Sequence, residues 1–176
     1  MFAKRLLAVL TFILAGSATG QEQRAEPMTV DTARGPVVAL PRLDTTGPGS
    51  LAVAEVRFEM SVEGGFRVYR AHHEGHTRTV YEAVDDRPRH YAYDPAERRF
   101  DRVSSTLRVR LADAEDLDEV VASTGALRGK HYPALGWALL RLRADQDPAT
   151  VAGSLLDSPL VLSAEVVLEG PLRVPQ

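Results

Sequence analysis

His72-His73-Glu74-Gly75-His76 is the densest group of potential metal ligands in the chain. Imidazoles suit zinc or copper, and a hairpin tip can bring two of them to one ion. A catalytic zinc takes three protein ligands, however, and neighbouring strand residues point to opposite faces. His72 and His73 therefore do not converge without a bulge. The spacing also differs from the helical His-Glu-x-x-His of metalloproteases. The stretch reads as a solvated polar hairpin tip, with His72, His73 and His76 as its metal candidates. Asp85-Asp86 and Glu115-Asp116…Asp118-Glu119 are paired acids of the type glycosidases use. The first pair lies beside a turn, and the second suits the polar face and first turn of a helix. The chain has no cysteine and no Gly-x-Ser-x-Gly elbow. Gly64-Gly65 and Gly47-Pro48-Gly49 lack the strand–loop–helix setting of a phosphate loop. The expectation is a protein that is not an enzyme and needs no cofactor.

The surrounding pattern is rich in strands. Residues 21–50 show no sustained period and read as a flexible leader, with Val37, Val38 and Leu40 able to add an edge strand. From residue 51 the chain alternates: Ala54, Val56, Phe58, Met60 and Val62 are spaced by Glu55, Arg57, Glu59 and Ser61. Turns at Glu63-Gly64-Gly65, Glu74-Gly75 and Asp94-Pro95-Ala96-Glu97 predict a five-stranded antiparallel meander over 51–105. In 106–169 a strand (Leu107, Val109, Leu111) precedes a helical stripe at Leu117, Val120, Val121 and Thr124. Asp113 suits its cap and Gly125 its left-handed stop. Strands follow at Leu127–Tyr132 and Trp137–Arg143. A helix opened by Asp147-Pro148 comes next, and then a last strand, Leu160–Leu168. The expected class is α+β: an N-terminal antiparallel β-meander followed by a ferredoxin-like βαββαβ domain. Residues 170–176 form an extended tail.

The run Gly136-Trp137-Ala138-Leu139-Leu140-Arg141-Leu142 after Gly125, then a helix, then Leu155-Leu156-Asp157-Ser158-Pro159-Leu160-Val161-Leu162-Ser163-Ala164-Glu165, resembles the propeptide of subtilisin-like serine proteases. A β-rich segment ahead of such a module is similar to the external chaperones of bacterial kexin-like subtilases. With the chain stopping at Gln176, such a module acts in trans. The resemblance implies a chaperone and temporary inhibitor, in a heterodimer with a subtilisin-like serine protease. It also implies that Leu172, Arg173, Val174, Pro175 and Gln176 lie in the protease cleft, Gln176 nearest the catalytic serine. A kexin-like partner favours a basic residue at that end, and Gln176 is neutral.

Lys4 and Arg5 precede an apolar run from Leu6 to Ala15 and small residues to Gly20, the layout of a secretory signal peptide over 1–20. The run is shorter than the roughly 20 residues a bilayer span needs. The expected location is periplasmic or secreted, with no membrane association after signal removal. A net charge of −3 gives no basic surface for nucleic acid. If helices cover the Leu107, Leu140, Leu162 and Val166 face of the C-terminal sheet, the opposite face carries Tyr132, Trp137, Leu139, Arg141, Val161 and Val167. Aromatic, aliphatic and arginine side chains in one patch have an interface composition. Two other readings compete: a periplasmic metal- or ligand-binding module built on His72, His73 and His76, and an envelope interaction protein using the same face.

Overall fold

The computed structural model describes residues 27–171. It is mostly antiparallel β in two sheets, and this corrects the expected division into a meander and a ferredoxin-like βαββαβ domain. Strands β3 (Gly49–Val53), β4 (Val56–Glu63), β5 (Phe66–His73) and β6 (His76–Ala83) form a four-stranded meander. The other sheet has seven strands: β1 (Met28–Val30), β2 (Val37–Leu40), β7 (His90–Asp94), β8 (Arg99–Leu111), β9 (Arg128–Tyr132), β10 (Trp137–Arg141) and β11 (Val161–Pro171).

The spine of the larger sheet is β8. One edge pairs with β11, from Pro171↔Asp101 to Val161↔Leu111. The other edge pairs first with β7, as in Tyr93↔Phe100 and His90↔Val103. It then pairs with β10, from Arg141↔Thr106 to Ala138↔Val109. The neighbour changes at Ser104-Ser105, where the Leu142 amide donates to the Ser105 carbonyl at 2.8 Å. Strand β8 itself runs on through that point, with a register shift against β11 there. The C-terminal strands and helices are therefore built onto the same sheet as β1, β2 and β7.

A one-turn helix, α1 (Leu43–Thr46), follows β2. Two cores lie on opposite faces of the large sheet. On one face α2 (Leu117–Thr124) and α3 (Pro148–Leu156) cover Ala92, Leu107, Val109, Leu140, Ala164 and Val166. Asp113 opens the first helical segment by accepting from the Glu115 amide at 3.0 Å, and a 3-10 turn at Ala114–Asp116 leads into α2. Gly125 closes it at φ +62°. Asp147 caps α3 by accepting from the Thr150 amide at 2.8 Å. Helix α2 sits directly on β9 at Gly129, where a Cβ would lie 2.7 Å from Leu117 Cδ1 and Val121 Cγ2. On the other face, Val38, Leu40, Tyr91, Tyr93 and Phe100 pack against Val56, Phe58, Met60, Tyr69 and Ala71 of the meander. Tyr93 is the hub, edge-on to both Phe58 and Phe100 at 5.7 and 5.3 Å.

Residues 28–40, expected within the flexible leader, thus supply β1 and β2. Strand β2 is buried on both faces, with Val37 and Ala39 toward the helices and Val38 and Leu40 toward the meander. The single strand expected from Ala54 to Val62 is also revised. A two-residue turn at Ala54-Glu55 closes the Val53↔Val56 pair, so the chain folds back there as the β3–β4 hairpin.

Candidate functional site: an open sheet face

The meander covers only part of its face of the large sheet. Alternation along β8 puts Phe100, Arg102, Ser104, Thr106, Arg108 and Arg110 on that side. Phe100 lies in the inter-sheet core, whereas Arg110 is exposed. Beyond the meander, β9 and β10 continue the open face. Their register sets Trp137 opposite Tyr132, Leu139 opposite Lys130 and Arg141 opposite Arg128. Directly opposed residues share a face, so six side chains converge there.

The Tyr132 and Trp137 rings lie 5.0 Å apart, inclined at 40°. The Lys130 ammonium sits 4.9 Å from the Tyr132 centroid, on the electron-rich face of the ring. Arg141 donates to Thr106 Oγ1 at 3.3 Å, and Arg108 pairs with Glu165 across the β8–β11 register. Thr106, Arg128, Lys130, Tyr132, Leu139 and Arg141 line a shallow depression of about 490 Å³. The face combines two aromatics in contact, one aliphatic and three cationic groups. It has the makings of a contact surface for a partner rich in carboxylates and carbonyls.

Tyr132, Trp137, Leu139 and Arg141 are thus brought together as expected from the alternation. Val161 is not. It is 7% exposed, pairs with Leu111 and belongs to the helix-side core, whereas Leu162, expected inward, is 65% exposed. The register shift between Val161 and Ser163 is the cause: a bulge inverts the parity of the strand before it. Val167 is half-buried beside a second shift, between Val166 and Leu168. Leu172, Arg173, Val174, Pro175 and Gln176 lie outside the described residues, as do residues 1–20. Lys130 was not singled out from sequence, although its spacing by two from Tyr132 places it on the same face.

The histidine hairpin separates as strand geometry requires. His72 contacts Glu59 at 3.3 Å and Thr77 Oγ1 at 3.0 Å on one face. His73 turns into the opposite side, edge-on to Tyr93 with ring centroids 6.1 Å apart. His76 is exposed. Among the described residues, no helix is long and apolar enough to cross a membrane. No protein-family model, curated protein or solved structure matches the chain.

Proposed function

We propose that this protein is an exported binding protein, not an enzyme, which acts as chaperone and temporary inhibitor of a subtilisin-like serine protease in the periplasm or outside the cell. The observation that carries this reading is the face of β9 and β10, where half-buried Trp137, Tyr132 and Leu139 lie outside both cores among exposed Arg128, Lys130 and Arg141. The resemblance of residues 125–165 to subtilase propeptides supplies the class of partner.

The physics is mass action. A preformed sheet that binds the native-like protease stabilises it by the binding free energy, and it speeds folding only where the same contacts exist in the transition state. Those contacts persist in the folded product, so assistance and inhibition come together. In this reading the tail, residues 172–176, lies along the cleft as an added strand, with main-chain hydrogen bonds supplying affinity.

The test is refolding of a denatured subtilisin-like protease, preferably one encoded beside this protein, with and without the purified protein. The expected result is a higher yield of folded protease together with inhibition of its peptidase activity. Binding of the open face to an unrelated envelope protein, with no effect on any subtilase, would replace this reading with that of an envelope interaction protein.

A further inference from the structure

At the opposite end of the molecule, the β3–β4 and β5–β6 turns lie side by side. The β4–β5 ladder runs to Arg57 opposite His72, so the next residues along each strand, Val56-Glu55 and His73-Glu74, leave it from neighbouring positions. One ring nitrogen of His73 and one carboxylate oxygen from each of Glu55 and Glu74 lie within 4.8 Å of one another. His73 is only 9% exposed, and its Nδ1 is buried without a hydrogen-bond partner among the described residues. A buried polar nitrogen left unpaired is costly, so its presence calls for a ligand. Glu55 and His73 also line a cleft of about 350 Å³, walled by Val37, Val38 and Pro95.

We infer that Glu55, His73 and Glu74 form a binding site for a divalent first-row metal ion of the zinc type. Two carboxylates brought together by paired hairpin turns repel one another, and a cation between them removes that repulsion. The imidazole tilts selectivity away from the all-oxygen preference of Mg²⁺ and Ca²⁺. Bonds of about 2.0–2.2 Å hold zinc donors well inside the 4.8 Å within which these atoms lie, so side-chain adjustment at the two glutamates completes the site. Both are exposed at turns, where side chains adjust, and Glu74 does so from an ion pair. Arg98, from the β7–β8 turn, pairs with Glu74 and orients it. The ion then ties the β3–β4 and β5–β6 turns of the meander to each other at the mouth of the cleft. Three protein ligands leave coordination positions for water or a partner's side chain.

Calorimetric titration of the metal-stripped protein with ZnCl₂ tests this, with thermal melting in parallel. The expected result is one saturable site, a melting temperature that rises with zinc, and much weaker binding of Mg²⁺. Glu55→Gln and Glu74→Gln, both at exposed positions, each weaken zinc binding by roughly tenfold or more, because each removes one of only three ligands. His72→Gln, on the opposite face, leaves it unchanged. Absence of saturable zinc binding, equal affinity for Mg²⁺, or undiminished affinity in both glutamate variants would overturn the site. The two glutamate substitutions keep the result decisive even where a change at buried His73 unfolds the chain.

Discussion

Trp137 stands directly opposite Tyr132 across β9 and β10, and the pair is half-buried and belongs to neither core. Truncation of Trp137 should therefore separate binding from folding. Trp137→Ala is expected to weaken partner affinity by about 2 kcal/mol or more, the range for a central aromatic anchor. The midpoint of urea unfolding should move far less. A large loss of stability with unchanged affinity per folded molecule would instead make Trp137 a core residue.

Arg67 and Glu82 form the most enclosed ion pair, at 3.3 Å, with side chains 11% and 1% exposed. Glu82 also accepts from the Arg89 amide at 3.1 Å, and Arg67 donates to the Val84 carbonyl at 2.7 Å. Burial pushes the Glu82 carboxyl above its ordinary 4.5, and Arg67 pulls it back only in part. The folded chain thus holds this proton more tightly than the unfolded one. The group's contribution to stability is fully present below pH 4.5 and is lost as pH rises through the folded value. Arg67→Ala should cost about 3–5 kcal/mol at neutral pH by stranding a buried carboxylate. It should cost distinctly less below pH 4.5. Urea unfolding at the two pH values checks both statements, and a cost independent of pH would refute them.

Asp147 behaves in the opposite sense. Burial alone would raise its carboxyl, but the His90 ring at 3.0 Å and the Thr150 amide together hold it below its usual 3.8. Its stabilisation is present above pH 3.8 and is lost as pH falls through the lowered value. Asp147→Ala should cost about 1 kcal/mol through the lost helix cap, whereas Asp147→Asn retains a cap and loses mainly the partnership with His90. Thermal melting of the two variants near neutral pH distinguishes them.

Gly129 is where α2 meets the sheet. A Cβ there would meet Leu117 and Val121 side chains at 2.7 Å, so Gly129→Ala should cost about 1–3 kcal/mol by overpacking. Leu117→Ala in the same chain removes one of the clashing groups. The pair should then be less destabilising than the sum of its parts, and strict additivity would show that α2 simply shifts.

How far the fold was legible follows from which faces were buried. Leu107, Val109 and Leu111 alternate because β8 has one apolar face, and Asp113, Gly125 and Asp147-Pro148 mark helix ends by their own chemistry. Val37–Leu40 shows no alternation because β2 is buried on both sides, and such a run carries no period to read. The Ala54-Glu55 turn was hidden for another reason. Ala54 adopts φ +50°, a conformation normally signalled by glycine or asparagine, so the sequence on either side read as one strand. Glu55 was consequently missed as a neighbour of His73. Ser104-Ser105 resembled a linker because β7 gives way to β10 there, although the partner strand β8 does not break. Strand order and the parity inversion at Leu162 depend on long-range pairing, which local patterns do not encode.

The last prediction concerns Leu172-Arg173-Val174-Pro175-Gln176, beyond the described residues. Pro171 and Pro175 fix their own φ and bias the residues before them toward extended backbone, which lowers the entropy lost when a chain lies along a cleft. If the open face docks the protease and these residues enter its cleft, the two contacts are joined through a short connection. The second then benefits from a high effective concentration. Deleting residues 172–176 should therefore sharply weaken inhibition while leaving the circular dichroism spectrum and face-mediated binding largely unchanged. Trp137→Ala should weaken both binding and inhibition. Combining the two changes should abolish inhibition at concentrations where either single variant still acts. An inhibition constant unchanged by the deletion would remove the tail from the cleft and leave inhibition to the sheet face alone.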